Sequence, residues 1–500
     1  MTGSVSLTKA ADLDVGLILR VAEGRRIVIG AELLTAVDAS CAAARQALAQ
    51  GVAGRPVYGV NTGMGALSGV RLTEAEQAGH QRNLLAGRAA GGPPWLPARE
   101  VRALFAVRLR TFLSGDAGVS AGLCQRLADF LAAGIVPAVP AQAAGTAGEI
   151  LALAHAFGPL AGIGQVLTPG AAASGADQTE SAGTVLARHG LAEFELGPKE
   201  GIALLAGVPG ATALSLLAAA EAAAVLGLME ATAALSIAVI GAPGDPYQAA
   251  CARGDEVLGR VLARLRAGTG PAVSPPRMLQ APVSFRVVGP VLAQVARAAG
   301  ALDGAVGRAL AGVTDSPAFL DGQFLGTAGF DGIDLAAHGD QLTAALAHAA
   351  EVSAARTHRL LDSGVTGLTA QLAARPGPDA GLVTVHKRAV GEVHALRRLA
   401  VPSAIGTIET SGGQEDVQSF AWAAATGLRA ALRHARLVTA CELLTAWQAA
   451  ALAAAAGQPR AAAGGAADLI AAVSREVEPI TADRPLGPDI ERLATGFLVG

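Results

Sequence analysis

The chain has 500 residues, of which 52 % are hydrophobic and only 3 % aromatic, and its formal net charge is −3. Basic residues form no run along the sequence, so the charge pattern gives no support for a nucleic-acid partner. The N-terminus has neither the basic block nor the apolar block of a signal peptide, and we therefore expect a cytoplasmic protein.

The composition favours helices, because Ala and Leu are strong helix formers and strand formers are scarce. In chain order, apolar residues at three- and four-residue steps predict helices over 97–115, 121–134, 247–267, 289–311, 334–362, 380–399 and 414–457. Short Gly- and Pro-containing turns separate them. The fold class predicted from this pattern is mainly α, a bundle of long helices. We divide it into a loop-rich N-terminal domain over 1–200, a central bundle over 201–457 and a helical cap over 458–500.

The segment 211–243 is long and apolar enough to suggest a membrane span. Glu221 and Glu230 interrupt it, and a carboxylate at the bilayer centre costs about 2.5–3.5 kcal/mol or more. A helix that is apolar on all sides is otherwise a core or subunit-interface helix. We therefore expect no membrane partner and an oligomeric protein.

Two rare side chains stand in candidate functional segments. Tyr58, one of two tyrosines, lies in the Gly-rich loop "PVYGVNTGMG", and Lys387, one of three lysines, lies in a predicted helix. A mobile lid carrying a phenol for proton transfer is one interpretation of the loop, and an ordinary surface turn is the other. Lys387 is notable because an amine, unlike the guanidinium used elsewhere, can change charge near neutral pH.

Two further segments have both a structural and a functional interpretation. Thr146 and Glu149 in "GTAGE" fit a capping box, although the same helix start can bind an anion or a substrate. Arg286, near Gln280 in "MLQAPVSFR", suits a substrate carboxylate, but a structural Arg explains it equally.

Gln414, Glu415 and Asp416 are predicted at the start of a helix, where carboxylates suit the helix dipole. His386 and His394 share one helix face without a third ligand nearby, so we predict no metal site. The four cysteines are far apart and match no metal-ligand spacing, which indicates free thiols.

Ordered fragments across nearly the whole chain resemble the aromatic amino acid ammonia-lyase family, and its histidine ammonia-lyase branch in particular. They are "VYGVNTGMG", "RNLLAGRAAGG", "GTAGEILALAHAFGPLAGIG", "GPKEGIALLAG", "LQAPVSFR", "GTAGFDG", "TSGGQEDVQSF" and "DRPLGPDI". The resemblance implies a mainly helical homotetramer whose active sites are built from loops of several subunits. It also implies a small-molecule substrate, an amino acid or a betaine derivative of one.

Enzymes of that family form an electrophile, methylideneimidazolone, from an Ala-Ser-Gly tripeptide whose Ser loses water. The matching residues here are Thr146, Ala147 and Gly148, and Ala147 has no hydroxyl to lose. A literal Ala-Ser-Gly at 173–175 stands in a different context, and we interpret it as a flexible loop. We therefore predict no prosthetic group and no other cofactor.

Other positions depart from the family in the same direction. Arg88 stands where the family has His, Ala206 where it has Asn, and Val283 where it has Tyr. Lys387 is gained on a helix that is apolar in the family. The resemblance assigns the matching site residues that this sequence retains: Tyr58, Gln280, Arg286, Phe330, Gln414 and Glu415.

The function predicted from these departures is a carbon–nitrogen lyase that works without the electrophile, as ergothionase does. Such an enzyme eliminates trimethylamine from a histidine betaine such as ergothioneine. We expect Tyr58, Lys387 and Glu415 to be catalytic, with the pKa of Tyr58 lowered by a nearby cation. Substrate binding is expected from Arg286, Arg88, Gln280, Phe330, Gln414 and Thr146. Two alternatives remain: a cyclisation, addition or isomerisation on the same scaffold, and a non-catalytic protein.

Overall fold

The computed structural model describes residues 3–50, 56–143, 145–174, 177–270 and 276–496. The chain forms two compact units, each built from separate stretches of sequence. Unit 1 comprises residues 1–217, 302–339 and 402–426, and unit 2 comprises residues 218–301, 340–401 and 427–500. These limits differ from the predicted boundaries at residues 200 and 457, because the four longest helices contribute residues to both units.

Among the described residues, nine helices belong wholly to unit 1. They are α1 (Val15–Ala22), α2 (Ala31–Gln50), α3 (Glu74–Ala86), α4 (Ala98–Leu113), α5 (Ala121–Ala133), α6 (Ile150–Phe157), α7 (Pro169–Ser174), α8 (Ala182–Arg188) and α9 (Glu200–Leu205). The four long helices that follow in the chain are α10 (Pro209–Ile240), α13 (Val288–Ala311), α14 (Ile333–Leu360) and α17 (Ala421–Ala455).

The remaining helices belong to unit 2. They are α11 (Glu256–Thr269), α12 (Val283–Arg286), α15 (Ser363–Thr366), α16 (Val383–Leu399), α18 (Gly464–Glu476) and α19 (Gly487–Gly496). The prediction of a mainly helical fold with long helices is confirmed.

Local signals explain where several helices begin and end. The helix predicted over 121–134 is α5, where the Ser120 hydroxyl accepts a hydrogen bond from the N–H of Leu123. Gly134 ends α5 with φ of 68°, a left-handed conformation that costs glycine little. The predicted helix over 97–115 is α4, which begins directly after Pro97.

Two predicted helix starts are wrong. The helix predicted from residue 414 begins only at Ala421, because Ser411, Gly412 and Gly413 have positive φ and Phe420 has φ of 52°. Gln414 and Glu415 therefore lie in an irregular loop and not in a first helical turn. The helix predicted from residue 247 begins at Glu256, since two short 3₁₀ turns precede it.

Within the part of the chain that the structure describes, two helical segments are long and apolar enough to cross a membrane, namely Glu200–Ile240 and Ala421–Ala455. In their most apolar stretches, 72 % and 83 % of the residues are buried within the protein. Core helices of a soluble protein have the same composition and burial, and this agrees with the interpretation of 211–243 as a core or interface helix.

The described part of unit 1 contains three short two-stranded sheets. Strands β1 (Val5–Leu7) and β2 (Ile27–Ile29) are parallel, with Val5 opposite Ile27. Strands β3 (Gln165–Leu167) and β4 (Thr179–Ser181) are antiparallel, as are β5 (Ala318–Leu320) and β6 (Gln323–Leu325). The core of unit 1 packs α4, α5, α6 and α9 around fully buried aromatic residues such as Phe105, Phe130 and Phe157.

Candidate active site

Unit 1 contains a cavity of about 420 Å³ at the level of the "GTAGE" loop. Five of the residues singled out in the sequence line it, namely Tyr58, Ala147, Phe330, Gln414 and Glu415. Arg88 and Thr146 line an adjoining depression that shares Met64, Ile150 and Glu415 with the cavity. The structure thus brings together these residues from five separate stretches of sequence.

The Tyr58 loop folds back on itself instead of extending from the surface. The hydroxyl of Tyr58 accepts a hydrogen bond of 2.8 Å from the N–H of Gly65, seven residues later. Asn61 and Thr62 close the turn by accepting from the N–H groups of Val57 and Gly59. A backbone N–H aimed at the phenol oxygen stabilises negative charge there, which suits a group that must lose its proton. The predicted lid motion of this loop stays a prediction.

Glu415 connects the two loops that form one wall of the cavity. Its carboxylate accepts a hydrogen bond of 2.8 Å from the N–H of Ala147 and one of 2.9 Å from the hydroxyl of Ser411. The Thr410 hydroxyl adds a longer contact of 3.3 Å, and the backbone of Thr410 pairs with that of Glu415. Glu415 is therefore fixed by hydrogen bonds on both sides, with the Ala147 methyl beside it.

The electrostatics around Tyr58 differ from the expectation. Burial raises the pKa of the Tyr58 phenol above its usual value of 10.0, and the negative charge of Glu415 adds to this effect. The hydrogen bond from Gly65 and the positive charge of Arg88 act in the opposite direction without outweighing burial. The predicted cation is thus present, but the predicted net lowering of the pKa is wrong for the chain by itself, because the phenol is half-buried among apolar residues.

Glu149 has a role that the sequence did not reveal. Thr146 donates its hydroxyl hydrogen to the carbonyl of Gly148, and Glu149 makes no capping bond to its own helix α6. The Glu149 carboxylate instead accepts from the N–H groups of Gly210 and Ala211, at the start of α10. The expected capping box is therefore wrong: the carboxylate caps a different helix and anchors the Ala147 loop to it.

The local sequence makes this anchoring possible. A Cβ atom on Gly210 would lie 2.1 Å from the Trp422 ring and 2.8 Å from the Glu149 carboxylate, so only glycine fits there. Trp422 in turn donates its indole N–H to the carbonyl of Ala141. Burial raises the pKa of Glu149 to about 7, although the two N–H groups and the charge of Arg108 oppose this.

A buried charged cluster near the cavity was missed by the sequence reading. Lys199 and Asp315, 3 % and 0 % exposed, form an ion pair of 2.5 Å. Burial lowers the pKa of Lys199 and raises that of Asp315, and their mutual attraction opposes both shifts. Arg108 is fully buried over the rings of Phe112 and Phe157 and donates to the carbonyl of Ala206, which lines the cavity. The rarity of lysine, applied to Lys387, would also have singled out Lys199.

The rest of the cavity wall is mostly apolar and carries no sequence signal of its own. The tight turn of the β5–β6 hairpin, where Asp321 and Gly322 both have positive φ, brings Phe324 to the cavity. The other uncharged lining residues are Pro56, Val57, Met64, Gly148, Ile150, Ile202, Leu205, Ala206, Gly207, Ser316, Pro317 and Gly326.

Three predicted site residues, Gln280, Arg286 and Lys387, belong to unit 2. Arg286 donates to the side-chain oxygen of Gln280 at 3.1 Å, and its Nε has no partner among the described residues. Lys387 is exposed on α16 and forms no ion pair with any described residue. That these three side chains act together with Tyr58 and Glu415 stays a prediction.

The literal Ala-Ser-Gly at 173–175 is only partly described. Its first two residues end the short helix α7, so the interpretation as a loop is wrong for them. Gly175 lies outside the described residues.

Comparison with known proteins agrees with the ordered motifs. Residues 13–475 match the aromatic amino acid lyase family. The histidine ammonia-lyase of Streptomyces avermitilis is 34 % identical over 459 residues, covering 86 % of this chain and 85 % of that protein.

Among solved structures, the tyrosine aminomutase of Streptomyces globisporus superimposes with a TM-score of 0.88 at 26 % identity, covering 99 % of this chain and 97 % of that one. The ergothionase of Treponema denticola, solved with desmethyl-ergothioneine sulfonic acid, gives a TM-score of 0.88 at 24 % identity, covering 99 % and 98 % of the two chains. At that identity the second likeness concerns the fold alone. The family match covers most of the chain, and this chain belongs to the aromatic amino acid lyase family.

Proposed function

We propose that this protein is a carbon–nitrogen lyase that works without an electrophile made from its own backbone. The observation that carries the proposal is Ala147. Ala147 lines the cavity, the motif resemblance matches it to the serine of the family triad, and its methyl side chain offers no hydroxyl that can leave as water. The Ala147 N–H is also engaged by Glu415 as an ordinary peptide group. The residues present therefore do not fit the family's prosthetic group.

A site of this kind requires a substrate that carries its own good leaving group. A trimethylammonium group meets this requirement, because it departs as neutral trimethylamine. It also has no lone pair with which to attack an electrophile, so nothing is lost if the electrophile is missing. The proposed substrate is a betaine of histidine, with ergothioneine as the leading case.

In the proposed reaction, a base removes a proton from the carbon between the imidazole ring and the carbon that bears nitrogen. The C–H electron pair becomes the new C=C bond, and the C–N bond breaks with its electrons on nitrogen. The products are trimethylamine, a proton held by the base and an acrylate that carries the ring. No oxidant, reductant or second substrate is needed.

Tyr58 is the proposed base. It lines the cavity, and the Gly65 N–H is already placed to stabilise its phenolate. Arg88 contributes positive charge near the phenol, as its favourable interaction with Tyr58 indicates. Glu415 and Lys387 are proposed to polarise the thione-imidazole ring, so that the ring accepts negative charge as the proton leaves.

The proposed assembly is a homotetramer in which unit 2 of one copy completes the cavity of another. Arg286, paired with Gln280, is proposed to bind the substrate carboxylate in the bidentate manner that suits a guanidinium. Leu279 and Val283, beside these two residues, are 94 % and 58 % exposed in the single chain. Exposed apolar residues next to a polar pair are typical of a surface that another subunit covers.

The names of the sequence relatives give the competing assignment, ammonia release from histidine. The two assignments predict different products and are separated by one experiment. Purified protein is incubated with ergothioneine, hercynine and histidine, while acrylate absorbance and free trimethylamine or ammonia are measured.

We expect trimethylamine from at least one betaine and no ammonia from histidine. Lys387→Met should abolish turnover, whereas Lys9→Met, which removes an exposed lysine of unit 1, should leave it unchanged. Ammonia from histidine without trimethylamine from either betaine would overturn the proposal.

A further inference from the structure

Unit 2 contains a second cavity, of about 430 Å³, that shares no residue with the candidate active site. Arg277 and Arg460 both line it. We propose that this cavity binds a small organic oxyanion, a molecule carrying a phosphate or a carboxylate group, between these two guanidinium groups. The proposal is independent of the function proposed for the first cavity.

The two arginines are held side by side by one acceptor. Arg277 and Arg460 each donate from Nη1 to the carbonyl oxygen of Thr366, at 2.7 Å and 2.6 Å. Arg460 also reaches the carbonyl of Val239 at 3.3 Å. Their other N–H groups have no acceptor among the described residues, so each guanidinium retains donors for a ligand.

No carboxylate of the described residues pairs with either guanidinium. The pKa of Arg460 is lowered by burial and further by the positive charge of Arg277, so the two groups repel each other. Like charges at such a short distance are unfavourable unless an opposite charge offsets them. An oxyanion between them removes the repulsion and accepts several charge-assisted hydrogen bonds.

The backbone around Arg277 is shaped to admit its long side chain. A Cβ atom on Gly241 would lie 2.8 Å from Cδ of Arg277, and one on Gly367 would lie 2.5 Å from its Nη2. Both glycines have positive φ, of 64° and 63°. The placement of Arg277 thus depends on two positions where any other residue would be strained and would collide with it.

The start of helix α18 adds to the positive field of this cavity. Ala461, Ala462 and Ala463 line it, and α18 begins at the next residue, Gly464. The N-cap residue Ala463 has no side chain that accepts from the first turn. The N–H groups at the start of a 13-residue helix carry partial positive charge and favour an anion in addition to the arginines.

The remaining walls indicate that the ligand has an organic part. Ile237, Val239 and Ala242 form apolar surface, whereas Thr269 and Gln458 offer polar side chains. A cavity of about 430 Å³ is far larger than a bare phosphate needs. The geometry therefore favours an anionic group at the arginines and a small uncharged or apolar remainder against the other wall.

The test is calorimetric titration of the whole protein at constant ionic strength with three probes: inorganic phosphate, pyrophosphate and citrate. We expect saturable binding of at least one probe, and chloride at the same ionic strength is the control. Binding of the phosphate compounds alone would identify a phosphate site, and binding of citrate alone a carboxylate site. If none of the three probes binds, the proposal is wrong.

The matched variants are Arg277→Gln and Arg460→Gln, which keep an N–H donor for Thr366 but lose the charge. Each should weaken binding at least tenfold, whereas Arg260→Gln on α11 should leave it unchanged. Arg260 is a suitable control because its side chain is 63 % exposed and its nearest carboxylate, on Glu256, is 4.0 Å away. Equal binding by all three variants would overturn the proposal.

A protection experiment on the unmodified protein does not depend on how the variants fold. Phenylglyoxal modifies accessible arginines, and mass spectrometry identifies the modified positions. A saturating anion should protect Arg277 and Arg460 while Arg260 reacts as before. Unchanged modification of Arg277 and Arg460 in the presence of the anion would refute the site.

Discussion

Replacement of Tyr58 by phenylalanine tests the candidate site most directly, because it removes one oxygen atom and retains the ring. In the structure that oxygen accepts the N–H of Gly65 at 2.8 Å, and Gly65 is buried. The substitution therefore has two separate consequences. It removes the proposed base, and it leaves a buried backbone N–H without its partner.

The two consequences have different magnitudes and different readouts. Loss of a general base lowers turnover by about 10²–10⁴-fold, which corresponds to roughly 3–5 kcal/mol of activation free energy. An unpaired buried N–H lowers the free energy of unfolding by about 1–3 kcal/mol. We expect Tyr58→Phe to show both effects, with the larger one on kcat and a smaller one on KM.

A second variant separates the catalytic loss from the structural one. Thr62 lies in the same loop, is 2 % exposed and donates its hydroxyl hydrogen to the carbonyl of Gly63 at 2.9 Å. Thr62→Val keeps the shape and loses buried hydrogen bonds, so it should destabilise the loop to a similar extent and leave kcat within about threefold. Betaine turnover and urea unfolding are measured for both variants. If Tyr58→Phe loses no more activity than Thr62→Val, Tyr58 is not the base.

Three further predictions follow from the site geometry. In a Tyr247→Phe variant only Tyr58 remains as a phenol, and its ultraviolet titration should have a midpoint above pH 10.0 because of burial. Adding Glu415→Gln removes a nearby negative charge and should lower this midpoint. A midpoint below pH 10.0 in the Tyr247→Phe variant would contradict the effect of burial. Burial raises the pKa of the Glu149 carboxyl from 4.5 to about 7. The stability that the protonated carboxyl contributes is therefore present below pH 4.5 and is lost as the pH rises through 7. The free energy of unfolding of Glu149→Gln should rise by about 2 kcal/mol relative to that of the parent between about pH 5.5 and about pH 8.5, and parallel stability curves would refute this. Gly210→Ala should lower the free energy of unfolding by about 1–3 kcal/mol or more, because the new Cβ would collide with an indole ring at 2.1 Å; thermal unfolding unchanged from the parent would show that the loop gives way.

The helices were predictable because their signals are local. Ser120 starts α5 through its side-chain hydroxyl, and Gly134 ends it through a backbone conformation that glycine adopts easily. Neither signal depends on a distant residue. Long apolar periodicity likewise identified α13, α14 and α16 to within three residues at each end. The start of α17 was missed because four residues in 411–420 have positive φ, which a helix excludes. These conformations belong to the loop that forms part of the cavity wall, and local helix propensity does not predict them.

Rare residue types and ordered motifs singled out five of the residues that line the cavity, but not the partners of these residues. Glu149 lies three residues after Thr146 and satisfies the pattern of a capping box. Its carboxylate oxygens nevertheless accept hydrogen bonds from the N–H groups of Gly210 and Ala211, about sixty residues away in the chain. A short motif specifies which groups are available, whereas the tertiary fold decides which donor reaches them. The pairing of Lys199 with Asp315, 116 residues apart, was hidden for the same reason.

The arrangement of Glu415 argues against simple decay of an ancestral site. A serine lost from a site that had no further use would leave its neighbours free to vary, and buried polar groups without partners would follow. Here the carboxylate of Glu415 is satisfied by Ala147 and Ser411, and the phenol of Tyr58 is satisfied by Gly65. Both groups remain on the wall of one cavity, next to a methyl group that cannot form an electrophile. Tyr58 and Glu415, held in place on one cavity wall, are the groups that the proposed elimination of an already activated amine requires.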